Sequence, residues 1–185
     1  MAHYINIDHA NNKIYDKDEV VFSKKDLLQK FEEFVGVCGY QVTWINNKRA
    51  PYELQISNGI KEYTLILYLK NITGAGWFDK PHIKRVQVTN VRNDDMSKYI
   101  DTTSNQTLLI LGYYNFDNNP IMVAWNAYHY VYHATNRSCY VTIDNLLDGY
   151  RNGSIVSECS EQQIWIFNSE HFIGFLDSYI EANKI

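Results

Sequence analysis

The pattern of apolar and polar residues along the chain predicts short β-strands separated by polar turns. The strongest run, at residues 62–69, is too short for a typical helix and is rich in β-forming residues. We expect this run and the similar one at 107–114 to cross the middle of a sheet. Shorter runs predict further strands at residues 4–7, 19–22, 40–45, 52–56, 84–88, 121–125, 154–159 and 162–167.

Three segments have the apolar spacing of helices and follow a residue that favours an N-cap. In the first, Asp26 stands three residues after Ser23, which is a capping-box-like position. The predicted helices are 24–36 after Ser23, 143–150 after Thr142 and 170–182 after Ser169.

Length and element order predict the fold class. A chain of 185 residues fits one domain, which we assign to residues 1–185. Many short strands with a few short helices indicate a β-rich α+β fold, and a barrel is the arrangement that we expect.

Cysteine usage and hydropathy indicate the compartment. Cys38, Cys139 and Cys159 are widely spaced and contain no C-x-x-C pair, so the sequence encodes neither a disulfide framework nor a zinc site. The N-terminus lacks a signal-peptide pattern, and no apolar run approaches the ~20 residues of a membrane span. We expect a soluble cytoplasmic protein with no cofactor and no membrane partner.

The net charge of −4 is unevenly distributed along the chain. Residues 70–98 hold six Lys or Arg and three Asp or Glu, whereas residues 138–185 hold two Lys or Arg and seven Asp or Glu. Local clustering matters more than total charge for a specific nucleic-acid site. Residues 70–98 are therefore the candidate binding segment of an acidic protein.

This first segment passes from a glycine-rich loop with two aromatic residues into a short strand. Arginine paired with guanine, and asparagine or glutamine paired with adenine, specify DNA sequence. The candidate DNA contacts here are Lys70, Asn71, Thr73, Trp77, Lys80, His82, Lys84, Arg85, Gln87 and Arg92. The alternative is that Trp77 folds into the core and the lysines form a solvated face.

A second segment, residues 126–142, alternates polar, aromatic and hydroxyl side chains around one arginine. This mixed set of donors and acceptors is closer to a base-reading surface than to a phosphate clamp. Its candidate DNA contacts are Asn126, His129, Tyr130, Tyr132, His133, Thr135, Asn136, Arg137 and Ser138. The alternative is an ordinary polar hairpin.

The sequence gives no positive sign of catalysis. No Asp or Glu stands two residues before any Lys, as the common two-metal nucleases require. His82 and Lys84 begin a phospholipase-D-like His-x-Lys pattern, but Thr89 stands where the Asp is expected. His129 and His133 are four apart without an obvious third metal ligand. We predict no catalytic residue and no metal site, and leave open whether the chain is an enzyme.

Four motifs carry a resemblance to a known family: GWFDKPHIKRVQV at 76–88, LLILGYYNFDNNPIMVAWN at 108–126, HATNRS at 133–138, and IWIF followed by the terminal helix. Their order resembles the B3-like DNA-recognition domains of restriction endonucleases of the EcoRII, BfiI and LlaJI type. The resemblance covers about residues 60–180.

This resemblance implies an open seven-stranded pseudobarrel with flanking helices, in which an N-arm and a C-arm clamp the DNA major groove. It assigns the N-arm to residues 72–85 and the C-arm to residues 127–138. The C-arm departs from the expected pattern, because it holds one Arg and several aromatic residues. Residues 1–60, with strands and the helix 24–36, would be an N-terminal extension packed on a B3-like core at 61–185.

Three functions remain open from the sequence. The first is sequence-specific binding of double-stranded DNA as target recognition for a restriction endonuclease, with cleavage in a fused nuclease domain or partner subunit. The second is a protein-interaction domain that uses the aromatic loop at Trp77 and Phe78. The third is a complete small type II nuclease whose carboxylates meet only in three dimensions, for instance Glu53, Glu62, Asp79 and Asp117.

Overall fold

A computed structural model of the chain describes residues 5–8, 13–16, 20–88, 106–115, 119–130 and 137–183. These residues form three α-helices and twelve β-strands. The helices are α1 (Lys24–Gly36), α2 (Ile143–Asn152) and α3 (Phe172–Ala182). The strands are β1 (Ile5–Asp8), β2 (Lys13–Asp16), β3 (Gln41–Asn46), β4 (Tyr52–Ser57), β5 (Glu62–Asn71), β6 (Thr73–Gly74), β7 (Ile83–Val88), β8 (Gln106–Tyr114), β9 (Ile121–Trp125), β10 (Arg137–Thr142), β11 (Ser154–Cys159) and β12 (Gln162–Asn168).

Seven strands form the main sheet, in the order β11-β12-β9-β8-β5-β4-β3. Neighbouring strands are antiparallel except β5 and β8, which are parallel, so the sheet is mixed. The expected β-rich α+β fold is confirmed, and β5 and β8 are central strands as predicted. In the described part of the chain the sheet is open, with β11 and β3 at its edges, so it does not close into a barrel.

The helices α1 and α3 cover one face of the main sheet. Apolar residues of α1 recur at helical spacing and are buried, and the aromatic residues of α3 pack beside them. Phe167 of β12 stacks on Phe175 of α3, with ring centroids 4.2 Å apart. Phe172 meets Phe31 of α1 edge to face at 6.0 Å. Aromatic packing therefore accounts for many of the rings in the sequence.

The opposite face is covered by α2 and by a three-stranded sheet, which we call the arm sheet, in the order β10-β7-β6. The arm sheet crosses the main sheet at Gly112 of β8. A Cβ atom built on Gly112 would lie 2.5 Å from Cγ1 of Ile72 and 2.8 Å from Cγ2 of Val86. The missing side chain thus allows the two sheets to approach closely at this point.

The predicted helix starts are confirmed at two of three sites. Ser23 accepts a hydrogen bond from the Asp26 amide at 3.2 Å, and Thr142 forms a capping box with Asn145. Ser169 instead opens a 3₁₀ turn at Ser169–His171, and α3 begins only at Phe172. The structure therefore corrects the N-cap role expected for Ser169.

The N-terminal region differs in part from its prediction. The first strand lies at Ile5–Asp8, close to the expected 4–7, and pairs with β2, which the sequence did not predict. Residues 20–22 are not in a strand, whereas an extended piece was expected at 19–22. The division at residue 60 stays a prediction; β3 and β4 pair into the same sheet as β5. None of the helices in the described ranges combines the length and apolarity needed to cross a membrane.

Candidate nucleic-acid interface

The arm sheet brings the two polar segments of the sequence together. Strand β7 from the first segment pairs antiparallel with β10 from the second. Residues directly opposite in such a pair project to the same face, and residues alternate between faces along each strand. Thr73, Arg85, Gln87, Ser138 and Tyr140 therefore share one face, which we call the outer face of the arm sheet.

The other face of the arm sheet packs on the main sheet. Val86, Cys139 and Val141 on this side are buried in the apolar core. Lys84 lies on this same inner side, because neighbouring residues of a strand alternate between faces and Arg85 is on the outer face. It is 0% exposed, and its Nζ lies 5.6 Å from the ring centre of Tyr114. This position suits a cation–π contact. Because its ammonium group is buried beneath the arm sheet, Lys84 is not part of the candidate contact surface.

A loop at residues 75–82, which we call the arm loop, closes the β6–β7 pair. Backbone hydrogen bonds hold it, with the Ala75 amide donating to the Ile83 carbonyl at 3.0 Å and the Ile83 amide to the Lys80 carbonyl at 3.1 Å. At its far end the His82 carbonyl accepts from the Ile143 amide at 3.0 Å, where α2 begins. The arm loop is thus fixed to both the arm sheet and α2.

Trp77, one of the two aromatic residues of the arm loop, lies on the outer face. Trp77 is 39% exposed, and its ring lies 5.2 Å from that of Tyr140 at an interplanar angle of 31°. Lys80 Nζ lies 5.6 Å from the Trp77 ring centre. Trp77 therefore packs on the arm sheet rather than in the main core. Tyr140 was not among the sequence candidates, because its position opposite Arg85 depends on the pairing of two distant strands.

Three candidates use their polar groups inside the protein. The Asn71 side chain accepts from the Phe22 amide at 3.1 Å and donates to the Phe22 carbonyl at 3.0 Å. Asn126 accepts from the Tyr128 amide at 3.1 Å and caps the 3₁₀ turn Ala127–His129. Tyr130 is buried and donates to Gln162, and burial raises the pKa of its hydroxyl. Asn71 and Asn126 thus hold backbone groups, and Tyr130 holds another side chain.

The remaining described candidates differ in exposure. Lys80, His82, Gln87 and His129 are exposed, and Lys70, Thr73, Arg85, Arg137 and Ser138 are half-buried. Within the described residues, Nε of Arg137 is buried without a hydrogen-bond partner. Arg137 starts β10 opposite Val88, on the inner side of the arm sheet. The candidates outside the described residues are Arg92, Tyr132, His133, Thr135 and Asn136.

The described residues contain no group of three or more His, Cys, Asp or Glu side chains that could hold a metal ion. Of the carboxylates named for a nuclease, Glu53, Glu62 and Asp79 are described but belong to no such group, and Asp117 lies outside the described residues. Burial raises the pKa of the Cys139 thiol to about 12, which keeps it protonated and a poor nucleophile near neutral pH.

Comparison with known proteins gives one family. The model of a family described as Methylase-associated X1 matches residues 63–176, which is more than half of the chain. The matched range begins in β5 and ends in α3, so it includes the whole arm sheet. No curated protein and no solved structure matches the chain.

Proposed function

The chain belongs to the methylase-associated X1 family, and from this premise we propose that it is a sequence-specific double-stranded DNA-binding domain of a restriction–modification system. The family's description supports that context. Target recognition is the role we assign to this chain, and cleavage or methylation would be carried out by a fused domain or a partner subunit.

The observation that carries the proposal is the composition of the outer face of the arm sheet. Arg85 and Gln87 are two residues apart on β7 and project to the same side. Their spacing of roughly 6.6 Å is close to two base-pair steps of about 3.4 Å. Arginine and glutamine are also the residue types that pair with guanine and adenine edges in the major groove.

The surroundings of this pair suit contact with DNA. Ser138 and Thr73 add hydroxyl groups on the same face, and Trp77 with Lys80 stands at its border. A two-stranded β-ribbon fits the major groove. The β7–β10 pair is such a ribbon beyond the short strand β6, which pairs with Arg85 and Lys84, and its other side packs on the protein. Lys80 is then available for phosphates, which position the protein without reading sequence.

We further propose that the main sheet and the arm sheet together correspond to the open pseudobarrel of B3-like domains. Residues 72–85 would be the N-arm, and the described part of residues 127–138 would belong to the C-arm. The N-arm ends in β7 and the C-arm ends in β10, and the pairing of these two strands supports this assignment. It predicts that the surface for DNA includes loops at both ends of the β7–β10 pair.

The proposal is tested by selection from a randomised duplex library, followed by affinity measurements at several salt concentrations. We expect enrichment of one short motif and an affinity that falls steeply as the salt concentration rises. The salt dependence arises because lysine and arginine side chains that bind phosphates release condensed counterions from the DNA. Absence of both enrichment and salt-sensitive binding would overturn the proposal. Binding without enrichment would reduce it to a non-specific DNA binder.

One observation favours a second candidate, a protein-interaction role for the arm loop. Phe78 is 73% exposed beside Trp77, and exposed aromatic residues often anchor partner proteins. Phe78→Ser separates the two candidates, measured by co-elution with a methylase of the same system and by DNA affinity. Loss of co-elution with unchanged DNA affinity would assign the arm loop tip to the partner protein.

A further inference from the structure

A second basic region lies at the end of the main sheet where β5 leads into β6. The turn between β3 and β4 holds Lys48 and Arg49, both exposed. Tyr52 at the start of β4 pairs with Leu67, so this turn lies beside the carboxyl end of β5. Ala50 in the turn packs against the apolar clusters of both sheet faces, as expected for a residue that covers the sheet's end.

The start of α1 is tied to this same end. The reciprocal hydrogen bonds between Asn71 and Phe22 hold the residue before the helix cap against the last residue of β5. Lys24 Nζ donates to the Lys48 carbonyl and lies 5.7 Å from the ring centre of Tyr52. We call the four exposed cations gathered here the basic corner: Lys24, Lys25, Lys48 and Arg49.

Charge differs between the two ends of the main sheet. At the opposite end lie Glu158 near the end of β11 and Glu161 in the β11–β12 turn, and β5 begins there with Glu62. Lys61, also at that end, is paired with Asp177 at 2.7 Å. The end with the basic corner also holds the half-buried Lys70, next to the last residue of β5.

The cations of the basic corner lie on two short segments, residues 23–26 and 47–51, in which Asp26 is the one carboxylate; Glu32 and Glu33 lie further along α1, and Glu53 lies in β4. Asp26 is in the first turn of α1 and accepts a hydrogen bond from Ser23. Four lysines and arginines therefore stand against one carboxylate in these two segments. An extended polyanion is the ligand class that complements such a strip of charge.

We propose that the basic corner is a second DNA-contact site, which binds the sugar–phosphate backbone flanking the bases read by the arm sheet. This inference rests on the proposed DNA-binding function. Lysine and arginine on a turn and a helix start neutralise phosphates without reading bases, so this site adds affinity but no specificity. Residues 24–49 precede the range matched by the family model, so the contact extends the footprint beyond the family's shared part.

The test compares Lys48→Gln/Arg49→Gln and Lys25→Gln with the unaltered protein. Affinity is measured for the selected duplex and for random duplexes over a range of salt. We expect both affinities to fall by a similar factor, and the slope of log affinity against log salt to decrease by about one for each cation removed. Far-UV circular dichroism checks that these exposed substitutions leave the fold unchanged.

The matched control is Lys61→Gln, which removes a cation at the opposite end of the sheet and should leave the salt slope unchanged. Equal effects of Lys61→Gln and of the corner variants would overturn the inference, as would unchanged slopes in the corner variants. In both cases the DNA-binding function itself would stand, because the unaltered protein still binds. Failure of the unaltered protein to bind any duplex would overturn the proposed function as well.

Discussion

Arg85 and Tyr140 stand opposite each other in the β7–β10 pair, so both side chains leave the same face of the arm sheet. Tyr140 in turn supports the ring of Trp77 at 5.2 Å. Arg85 is half-buried and stands between Tyr140 of β10 and Thr73 of β6, its partners in the two neighbouring strands. An arginine held in this way loses less side-chain entropy when it binds a base, because part of that entropy is already lost.

We predict that Arg85→Ala weakens binding to the selected duplex by about 1–3 kcal/mol and relaxes selectivity at one position of the motif. The reason is the loss of a bidentate contact to a base edge. Fluorescence anisotropy with selected and random duplexes measures both effects. Arg151→Ala, at an exposed position in the last turn of α2, is the charge-matched control. Equal losses for the two variants, or an equal loss on random duplexes, would contradict base reading by Arg85.

The close approach at Gly112 leads to a prediction about stability. Gly112→Ala should lower the free energy of unfolding by about 1–3 kcal/mol, because the new methyl group would overlap Ile72 and Val86. The same displacement should lift the arm sheet and weaken DNA binding. Urea denaturation measures the first effect and anisotropy the second.

Gly174 in α3 provides the control for this glycine substitution. Apart from the nearby backbone of α3 itself, no atom of the described residues lies within 4 Å of a Cβ built there, so the new methyl group meets no obstacle. Alanine has the higher helix propensity, and Gly174→Ala should stabilise the protein by about 0.5–1 kcal/mol. A similar loss of stability in both variants would show that the Gly112 effect is not caused by the crossing of the sheets.

Local patterns predicted the strands and helices well, because each pattern reports which face of one element is buried. The apolar run at 62–69 predicted a strand and lies in β5, and the helical spacing after Ser23 predicted the helix that the structure shows as α1. Capping also follows from local sequence where a capping side chain accepts from the amide three residues further along the chain. Ser169 is the exception, since the chain makes a 3₁₀ turn before α3 begins.

The layout of the candidate site was less accessible from sequence, because it depends on pairing between distant strands. In the sequence Lys84 and Arg85 are two equivalent basic residues, yet in the structure Lys84 lies under the arm sheet and Arg85 lies on its outer face. Alternation places neighbours on opposite faces, but only the packing against Tyr114 decides which face is inside. The basic corner likewise depends on which loops meet at one end of a sheet.

A buried hydroxyl gives a further stability prediction. Tyr179 of α3 is fully buried, accepts from the Ala127 amide at 3.0 Å and donates to the Leu108 carbonyl at 3.0 Å. Tyr179→Phe would leave both backbone groups without this partner, and should cost about 1–3 kcal/mol. Chemical denaturation of the variant measures the cost.

Tyr40→Phe is the control for the loss of a hydroxyl. Tyr40 is half-buried and packs its ring 6.1 Å from that of Tyr63, and its hydroxyl makes no hydrogen bond among the described residues. We expect a change of within about 0.5 kcal/mol. If the two variants lost equal stability, the hydrogen bonds of Tyr179 would not be the cause.

Buried ionisable groups predict a loss of stability at alkaline pH. Burial, reinforced by the nearby Glu33 carboxylate, raises the pKa of Tyr113 from 10.0 to about 12, and burial raises that of Cys139 from 9.0 to about 12. Both folded pKa values exceed the unfolded values, so the folded state holds these protons more tightly. The resulting stability is present below about pH 9 and is lost progressively as pH rises toward 12.

We therefore expect the melting temperature to fall as pH rises above 9, and to fall less steeply in Tyr113→Phe, which has no proton to lose at that position. Thermal melts followed by circular dichroism, together with tyrosinate absorbance, measure the two events. Tyrosinate formation from Tyr113 should accompany unfolding rather than precede it. If Tyr113→Phe and the unaltered protein lost stability along the same pH curve, Tyr113 would not be linked to alkaline unfolding, and its ring would be accessible to hydroxide in the folded state.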